Sequence, residues 1–307
     1  MKVNAIVPRG YCYGVVNAIN LAKQARKDYS NENIYVLGMI VHNKYIVKAL
    51  ELMNIITLDD SKKDKLTLLD EISSGIVILS AHGSAKAVKD KANEKGLIVY
   101  DATCKDVTKT HNLIKEYLDL GYDILYYGKE NHPEAIAALS IGANVHLITA
   151  KDDIEEVVIA NDKILLTNQT TLSIVDAKKM FALAKQKYPN IVLAQEICNA
   201  TRIRQEAVLE IVNSDILFVV GDPASNNSNK LMNIAKENDP NLLVKMIESV
   251  KDIKIDWLKD KGCASVTSGA STPTYLTNMV IDYLRQFDYG NKDTYQKPEI
   301  DINKILD

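Results

Sequence analysis

Three of the four cysteines stand at nearly equal intervals: Cys12, Cys104 and Cys198, 92 and 94 residues apart. Each closes an apolar, strand-like run, namely VNAIVPRGYC, LIVYDATC and IVLAQEIC. Each is followed by a stretch with apolar residues at helical spacing. One thiol per third of the chain, always at the same kind of junction, suits a site where three thiolates meet. Such a site binds a soft metal or an iron–sulfur cluster and leaves one position open. Any one of these thiols alone would read as a small buried hydrophobe; the matched context of three favours the ligand reading. Cys263 lies just ahead of a strand pattern, KGCASVTSG, and is expected in the core. No CxxC pair occurs, which argues against a structural zinc site with closely spaced ligands. A 4Fe-4S cluster with one iron lacking a protein ligand suits three dispersed cysteines, although their spacing does not set it above a smaller cluster.

A second set of candidates lies in short polar segments that follow apolar runs. His42 and Asn43 follow NIYVLG; His82, Gly83 and Ser84 end GIVILSAHGS; His132, Pro133 and Glu134 end DILYYGKENHPE. Thr170 and Thr171 end KILLTNQTT; Ser225, Asn226 and Asn227 end DILFVVGDPASNN; Ser271 and Thr272 end ASVTSGAST. Imidazole and hydroxyl donors, with backbone N–H groups at helix N-termini, make an anion site. The same Ser, Thr and Asn side chains serve as N-caps, and the two roles are compatible. Glu134 is the only acid among the candidate residues singled out in these segments. After a proline at the first helical position it can be an ordinary first-turn carboxylate. It can equally be a proton donor beside a metal-bound hydroxyl, with Thr170 and Thr171 extending the relay. His111 and His146 fall in a helix and a strand pattern and are expected to be structural. Neither GxxxxGK[ST] nor GxGxxG occurs, so neither a P-loop nor a dinucleotide fingerprint is supported.

The elements that must position these residues alternate along the chain. Short apolar runs ending in small or polar residues give way to helical patterns, which predicts βαβ units and parallel sheets. Ligands of such sheets bind at the carboxyl ends of the strands, where the polar segments lie. Six strand–loop–helix units follow, two after each cysteine. The simplest architecture is a threefold repeat of α/β domains of roughly 90 residues, without residue identity between the thirds. The expected boundaries are 14–104, 105–197 and 198–284, the last with an N-terminal strand in 1–13. Residues 285–307 form a polar tail that docks on the surface or frays.

Composition bounds the partners. The 307 residues are 47% hydrophobic and 25% charged, with a net charge of −3. No basic arm or stripe is present, so nucleic acid is not an expected partner. No run approaches the roughly 18 apolar residues of a membrane span. The apolar start is broken by Asn4 and Pro8–Arg9, so no signal peptide is expected. Four cysteines in a chain this long do not make a disulfide scaffold. The expected setting is a reducing cytoplasm.

From Pro8 to about Leu284 the chain resembles the LytB/IspH family, the 4-hydroxy-3-methylbut-2-enyl diphosphate reductases. The carrying segments are PRGYCYGV, IVHNKYIV, SAHGS, DATC followed by VTKTH, NHPE, NQTTLS, EICNATRIRQEAV, SNNSN and SGASTP. The resemblance implies a trefoil of three small α/β domains around a central 4Fe-4S cluster held by Cys12, Cys104 and Cys198, with one open iron. It places the substrate diphosphate on His42, His82, Ser225, Asn227 and Ser271, with Asn226 in the same loop. It places His132, Glu134 and Thr170 around the substrate hydroxyl, with Glu134 as proton donor. The implied reaction is a two-electron reductive dehydroxylation that gives isopentenyl and dimethylallyl diphosphate, the last step of the non-mevalonate isoprenoid pathway. Ferredoxin or flavodoxin is the implied electron donor.

The chain departs from the family pattern at three positions: Lys105 stands where DATCP is usual, Tyr13 where a small residue is common, and Asn226 where Ser or Gly is common. Two other readings use the same residues. A hydro-lyase of the aconitase type would also use an open iron, but needs no reductant. A cluster-based redox sensor would need an exposed cluster and no polar crevice.

Overall fold

The computed structural model describes residues 1–307, except the side chains of Lys151 and Asp152. Strands and helices alternate as the sequence predicts. The first third holds β1 (Lys2–Ala5), α1 (Tyr13–Asp28), β2 (Ile34–Leu37), α2 (Lys44–Glu51), β3 (Ile55–Leu58), α3 (Lys65–Asp70), β4 (Ile76–Leu79) and α4 (Lys86–Glu94). The second holds β5 (Ile98–Asp101), α5 (Lys105–Asp119), β6 (Asp123–Tyr127), α6 (Pro133–Leu139), β7 (Val145–Ile148), α7 (Lys151–Glu156), β8 (Ile164–Asn168) and α8 (Ile174–Lys187). The third holds β9 (Val192–Leu193), α9 (Asn199–Leu209), β10 (Ile216–Val220), α10 (Asn226–Asn238), β11 (Leu243–Ile247), β12 (Cys263–Ser268) and α11 (Thr274–Gln286).

The strands form three four-stranded sheets, ordered β3-β2-β4-β5, β7-β6-β8-β9 and β11-β10-β12-β1. Every pairing is parallel. The three orders are one arrangement repeated, so the α/β class with parallel sheets is observed, and the repetition is structural where residue identity is absent. In each sheet the fourth strand opens the next third of the chain, and β1 completes the last sheet. Interior strands such as IVIL of β4 and ILFVV of β10 are fully buried. They read as unbroken apolar runs because helices cover both faces of a parallel sheet. The fourth strands sit at edges and are partly exposed, and β9 is only two residues long.

The chain divides into two compact units, residues 1–16, 41–52 and 199–307 in one, 17–40 and 53–198 in the other. The first unit holds the sheet β11-β10-β12-β1. Its core packs Phe218, Val220 and Val266 against Val280, Ile281 and Leu284 of α11. The C-terminal tail docks on this unit: Tyr295 stacks on Phe287 with ring centroids 5.4 Å apart, and Ile305 is fully buried. The Tyr11 hydroxyl donates to the Ile305 carbonyl at 2.6 Å, which anchors the residue before Cys12. Cys263 is not a core residue: it is half-buried at the start of β12, where its sulfur accepts from Asn4 Nδ2 at 3.4 Å. The second unit holds the other two sheets, each with its own core. Among the described residues no helix is long and apolar enough to cross a membrane.

Candidate active site

One hydrogen bond recurs in all three sheets. The backbone N–H of each cysteine donates to a carbonyl in the loop that leaves the neighbouring strand: Cys104 to Ala81 at 3.0 Å, Cys198 to Thr170 at 3.0 Å, Cys12 to Ala270 at 2.9 Å. These are the loops after β4, β8 and β12. Parallel pairing of the edge strand carries each cysteine into register with the polar loop beside it. All three cysteines are half-buried, and no disulfide is present among the described residues.

In the second unit the candidates form one run of contacts. Cys104 bonds Ala81, the neighbour of His82. The His82 ring stands edge-on to the His132 ring, centroids 5.5 Å apart and planes at 90°. His132 caps α6, its Nδ1 accepting from the Glu134 N–H at 3.2 Å. Nδ1 is therefore unprotonated, and the ring proton of the neutral imidazole sits on Nε2. Glu134 follows Pro133 in the first turn and is 2% exposed. The Thr170 N–H donates to Glu134 Oε1 at 2.7 Å, and the Thr170 hydroxyl to Oε2 at 3.0 Å. Thr170 in turn offers its carbonyl to Cys198. Lys109 of α5 forms an ion pair with Glu196 at 2.9 Å, tying the helix after Cys104 to the loop before Cys198.

Burial raises the Glu134 carboxyl to about 7, against the pull of the Thr170 and Tyr126 donors. A carboxyl with that affinity holds its proton near neutral pH and can give it up there. Tyr126 was missed by the sequence reasoning. It is fully buried in β6, and its hydroxyl donates to Glu134 Oε1 at 3.5 Å. The available signal was a phenol within the buried run ILYY of β6, since a buried tyrosine hydroxyl needs a partner. Gln169 was also missed: it is fully buried, its Oε1 accepting from the Lys129 N–H and its Nε2 donating to Thr171 Oγ1.

In the first unit a second run starts at Cys12. Its partner Ala270 precedes Ser271, whose hydroxyl donates to the His42 carbonyl at 3.3 Å. Asn43 then caps α2, accepting from the Tyr45 and Ile46 N–H groups. The Lys44 N–H donates to Asp222 Oδ2 at 3.2 Å, and the Asp222 carbonyl accepts from the Ser225 N–H. Ser225 caps α10 through its hydroxyl and the Ser228 N–H. Asn226 and Asn227 are buried in the first turn of that helix. Neither polar atom of the Asn227 amide has a partner among the described residues. A buried amide left so is costly and marks a place for a polar ligand. The loops approach closely because Gly221 and Gly269 flank Ser228: a Cβ on either would lie 2.2 or 2.1 Å from its hydroxyl. The first unit thus gathers Cys12, His42, Ser225, Asn226, Asn227 and Ser271. The second gathers Cys104, Cys198, His82, His132, Glu134 and Thr170.

A model of the LytB protein family matches residues 3–285. A 4-hydroxy-3-methylbut-2-enyl diphosphate reductase of Geobacillus sp. (strain WCH70) is 46% identical over 310 residues, covering 100% of this chain and 98% of its own. The protein of that name from Bacillus subtilis (strain 168) is 45% identical over the same coverage. Among solved structures, the E-1-hydroxy-2-methyl-but-2-enyl-4-diphosphate reductase of Plasmodium falciparum matches with a TM-score of 0.87 at 31% identity, over 94% of this chain and 89% of that one. A second, described as the terminal enzyme of the non-mevalonate pathway, matches with a TM-score of 0.67 at 26% identity over 94% and 100%.

Proposed function

The chain belongs to the LytB family, and from that premise we propose that it is a 4-hydroxy-3-methylbut-2-enyl diphosphate reductase. It is an oxidoreductase of isoprenoid synthesis that takes a small diphosphate substrate, a reductant and an iron–sulfur cluster. In the reaction the allylic carbon–oxygen bond breaks, two electrons and two protons enter, water leaves, and isopentenyl or dimethylallyl diphosphate remains.

Cys12, Cys104 and Cys198 would hold the cluster, as a 4Fe-4S centre with one open iron. The donor set fits: three half-buried thiols, each fixed by its backbone in the loop that follows an edge strand. When bound, the cluster supplies the electrons and a Lewis-acidic iron. The three sheets would then belong to three small domains in a trefoil about it, with boundaries 14–104, 105–197 and 198–284 plus strand 1–13. Ferredoxin or flavodoxin would be the electron donor, and the cytoplasm the setting.

The observation that carries the reading is the buried Glu134–Thr170 pair. The Thr170 N–H occupies Oε1, so when Glu134 is protonated its proton belongs on Oε2, and the Oε2–Oγ1 hydrogen bond, which runs from the hydroxyl to the ionised carboxylate, then runs from the acid to the hydroxyl. From there it is donated to Thr170 Oγ1, whose own hydrogen can move on to a departing hydroxyl. His132 orients the substrate hydroxyl through Nε2–H. His42, His82, Ser225, Asn226, Asn227 and Ser271 would receive the diphosphate from imidazole, hydroxyl and amide donors, the unpartnered Asn227 amide among them.

The test is anaerobic purification with iron and sulfide analysis. The hydroxylated C5 diphosphate is then supplied with a reduced viologen or ferredoxin. Formation of the two dehydroxylated C5 diphosphates is expected. A cluster-replete protein that leaves the substrate unchanged overturns the proposal, and turnover without a reductant points to a hydro-lyase instead.

A further inference from the structure

Lys65, the first residue of α3, belongs to none of the motifs above. Its ammonium donates to Ser80 Oγ at 3.2 Å, Ser84 Oγ at 3.0 Å and the Gly83 carbonyl at 3.0 Å. These three acceptors surround His82 in the chain. The lysine stem also passes the loop after β2, its Cε lying 3.7 Å from where a Cβ on Gly38 would stand. Lys65 is in no ion pair among the described residues. Lys65 is half-buried, and the desolvation of its ammonium lowers it to about 8, with Asp101 and Asp59 pulling the other way.

The threefold repetition shows what this arrangement adds. The loop after β8 is braced by the neutral amide of Gln169, on Lys129 N–H and Thr171 Oγ1. The loop after β12 is braced by the neutral hydroxyl of Thr272, which donates to the Val220 carbonyl at 2.9 Å. The loop after β4 is instead braced by a cation. Holding such a loop needs no charge, and an ammonium drawn partly out of water with no carboxylate in direct contact is costly. The charge is compensated when an anion occupies the loop it supports.

We infer that Lys65 is a positioning residue for the diphosphate: it locks the Ser80–Ser84 loop and sets a fixed positive charge behind His82. The inference rests on the reading that His82 binds diphosphate. Lys65 does not touch the ligand in this scheme. It acts through the loop and through its field, which is strong where water is excluded.

The holoenzyme and three variants test it: Lys65→Gln keeps hydrogen bonding without charge, Lys65→Arg keeps charge, and His82→Ala removes the imidazole. Binding of inorganic diphosphate is measured by calorimetry, and KM and kcat with the hydroxylated C5 diphosphate. Lys65→Gln should weaken diphosphate binding and raise KM by roughly tenfold, with a smaller change in kcat. Lys65→Arg should recover most of the loss. Wild-type affinity should fall as pH rises through 8, and the Gln variant should lack that step. Asp101, paired with Lys89, and Asp59 act on the ammonium, His111 stands against Gly83 of the same loop, and all remain in the variant. A Gln variant that binds like wild type while His82→Ala is weakened overturns the inference alone. If the Gln variant does not fold, a wild-type affinity unchanged between pH 7 and 9 overturns it. A wild type that neither turns over substrate nor binds diphosphate overturns the proposed function, and this inference with it.

Discussion

Glu134 and Thr170 are joined by two hydrogen bonds, N–H to Oε1 at 2.7 Å and hydroxyl to Oε2 at 3.0 Å, across 36 residues of sequence. Both sit at the carboxyl ends of strands in one sheet, after β6 and β8. The pairing of those strands sets Tyr127 opposite Asn168 and so aligns the two loops. The carboxyl is fixed on both oxygens before any ligand arrives, the preorganisation that the proposed proton-donor role requires.

Replacing that carboxyl removes the proton and little else. Glu134→Gln should keep KM within about threefold and lower kcat by roughly 10²–10⁴-fold. Steady-state kinetics decides it; near-normal kcat excludes Glu134 as donor. The wild-type kcat should fall as pH rises through about 7, where the carboxyl ionises. Stability follows the same proton. The folded carboxyl binds it more tightly than the unfolded one, so the contribution is full below the ordinary value of 4.5 and is lost as pH rises through about 7. Melting temperatures from pH 4.5 to 8 should decline more steeply for wild type than for the Gln variant.

Tyr126 tunes that ionisation. Its hydroxyl stabilises the ionised carboxylate, so Tyr126→Phe should move the alkaline limb of the kcat profile above 7. Burial and the nearby carboxylate hold the phenol itself well above its ordinary value, so it does not titrate in this range. A limb at the wild-type position would mean that Tyr126 only fills space.

The six strand–loop–helix units and their polar loops were legible in the sequence because buried parallel strands are unbroken apolar runs ending in small polar residues. ILFVV before GDPASNN is one case. The partnerships were not legible. That Cys198 bonds Thr170, or that β1 completes the sheet of β12, depends on strand order, which periodicity does not encode. Tyr126 hid inside an apolar run. Lys65 hid as one more lysine in SKKDKLTLLD, since nothing local distinguishes a half-buried ammonium from a solvated one. Cys263 was placed in the core because its strand is apolar, yet it opens that strand beside the edge strand β1. The tail looked polar because its anchors are few: Tyr295, Ile305 and Leu306.

The cysteine assignment predicts a clean division. Changing Cys12, Cys104 or Cys198 to Ser should each lower iron and sulfide per chain by most of the wild-type content, with loss of the visible absorption of the cluster. Cys263→Ser should retain both, since its contact is the Asn4 amide. Equal loss in the Cys263 variant would overturn the ligand set.

Gly10 supports Cys12 from two residues away, and its lack of a side chain is what permits this. It sits at φ +75°, and a Cβ there would lie 2.3 Å from Thr274 Oγ1 and 3.2 Å from the Thr274 Cα. The second contact is to backbone at the start of α11, so rotating a side chain does not relieve it. The same residue donates its N–H to Ser268 Oγ at 2.7 Å and accepts from Arg204 Nη2 at 2.9 Å, so it cannot shift without breaking both bonds. Gly10→Ala should therefore cost about 1–3 kcal/mol in backbone strain alone. The displacement should pass along the chain to Cys12, whose backbone is tied to Ala270. The expected result is a lower melting temperature and a lower iron content per chain, with kcat per bound cluster close to wild type. Thr274→Ala in the same chain removes the hydroxyl but leaves its Cβ at 3.0 Å, so rescue should be partial. Full iron content in Gly10→Ala would show that the Cys12 loop tolerates displacement, and full rescue by Thr274→Ala would place the whole effect in one side-chain contact rather than in the backbone.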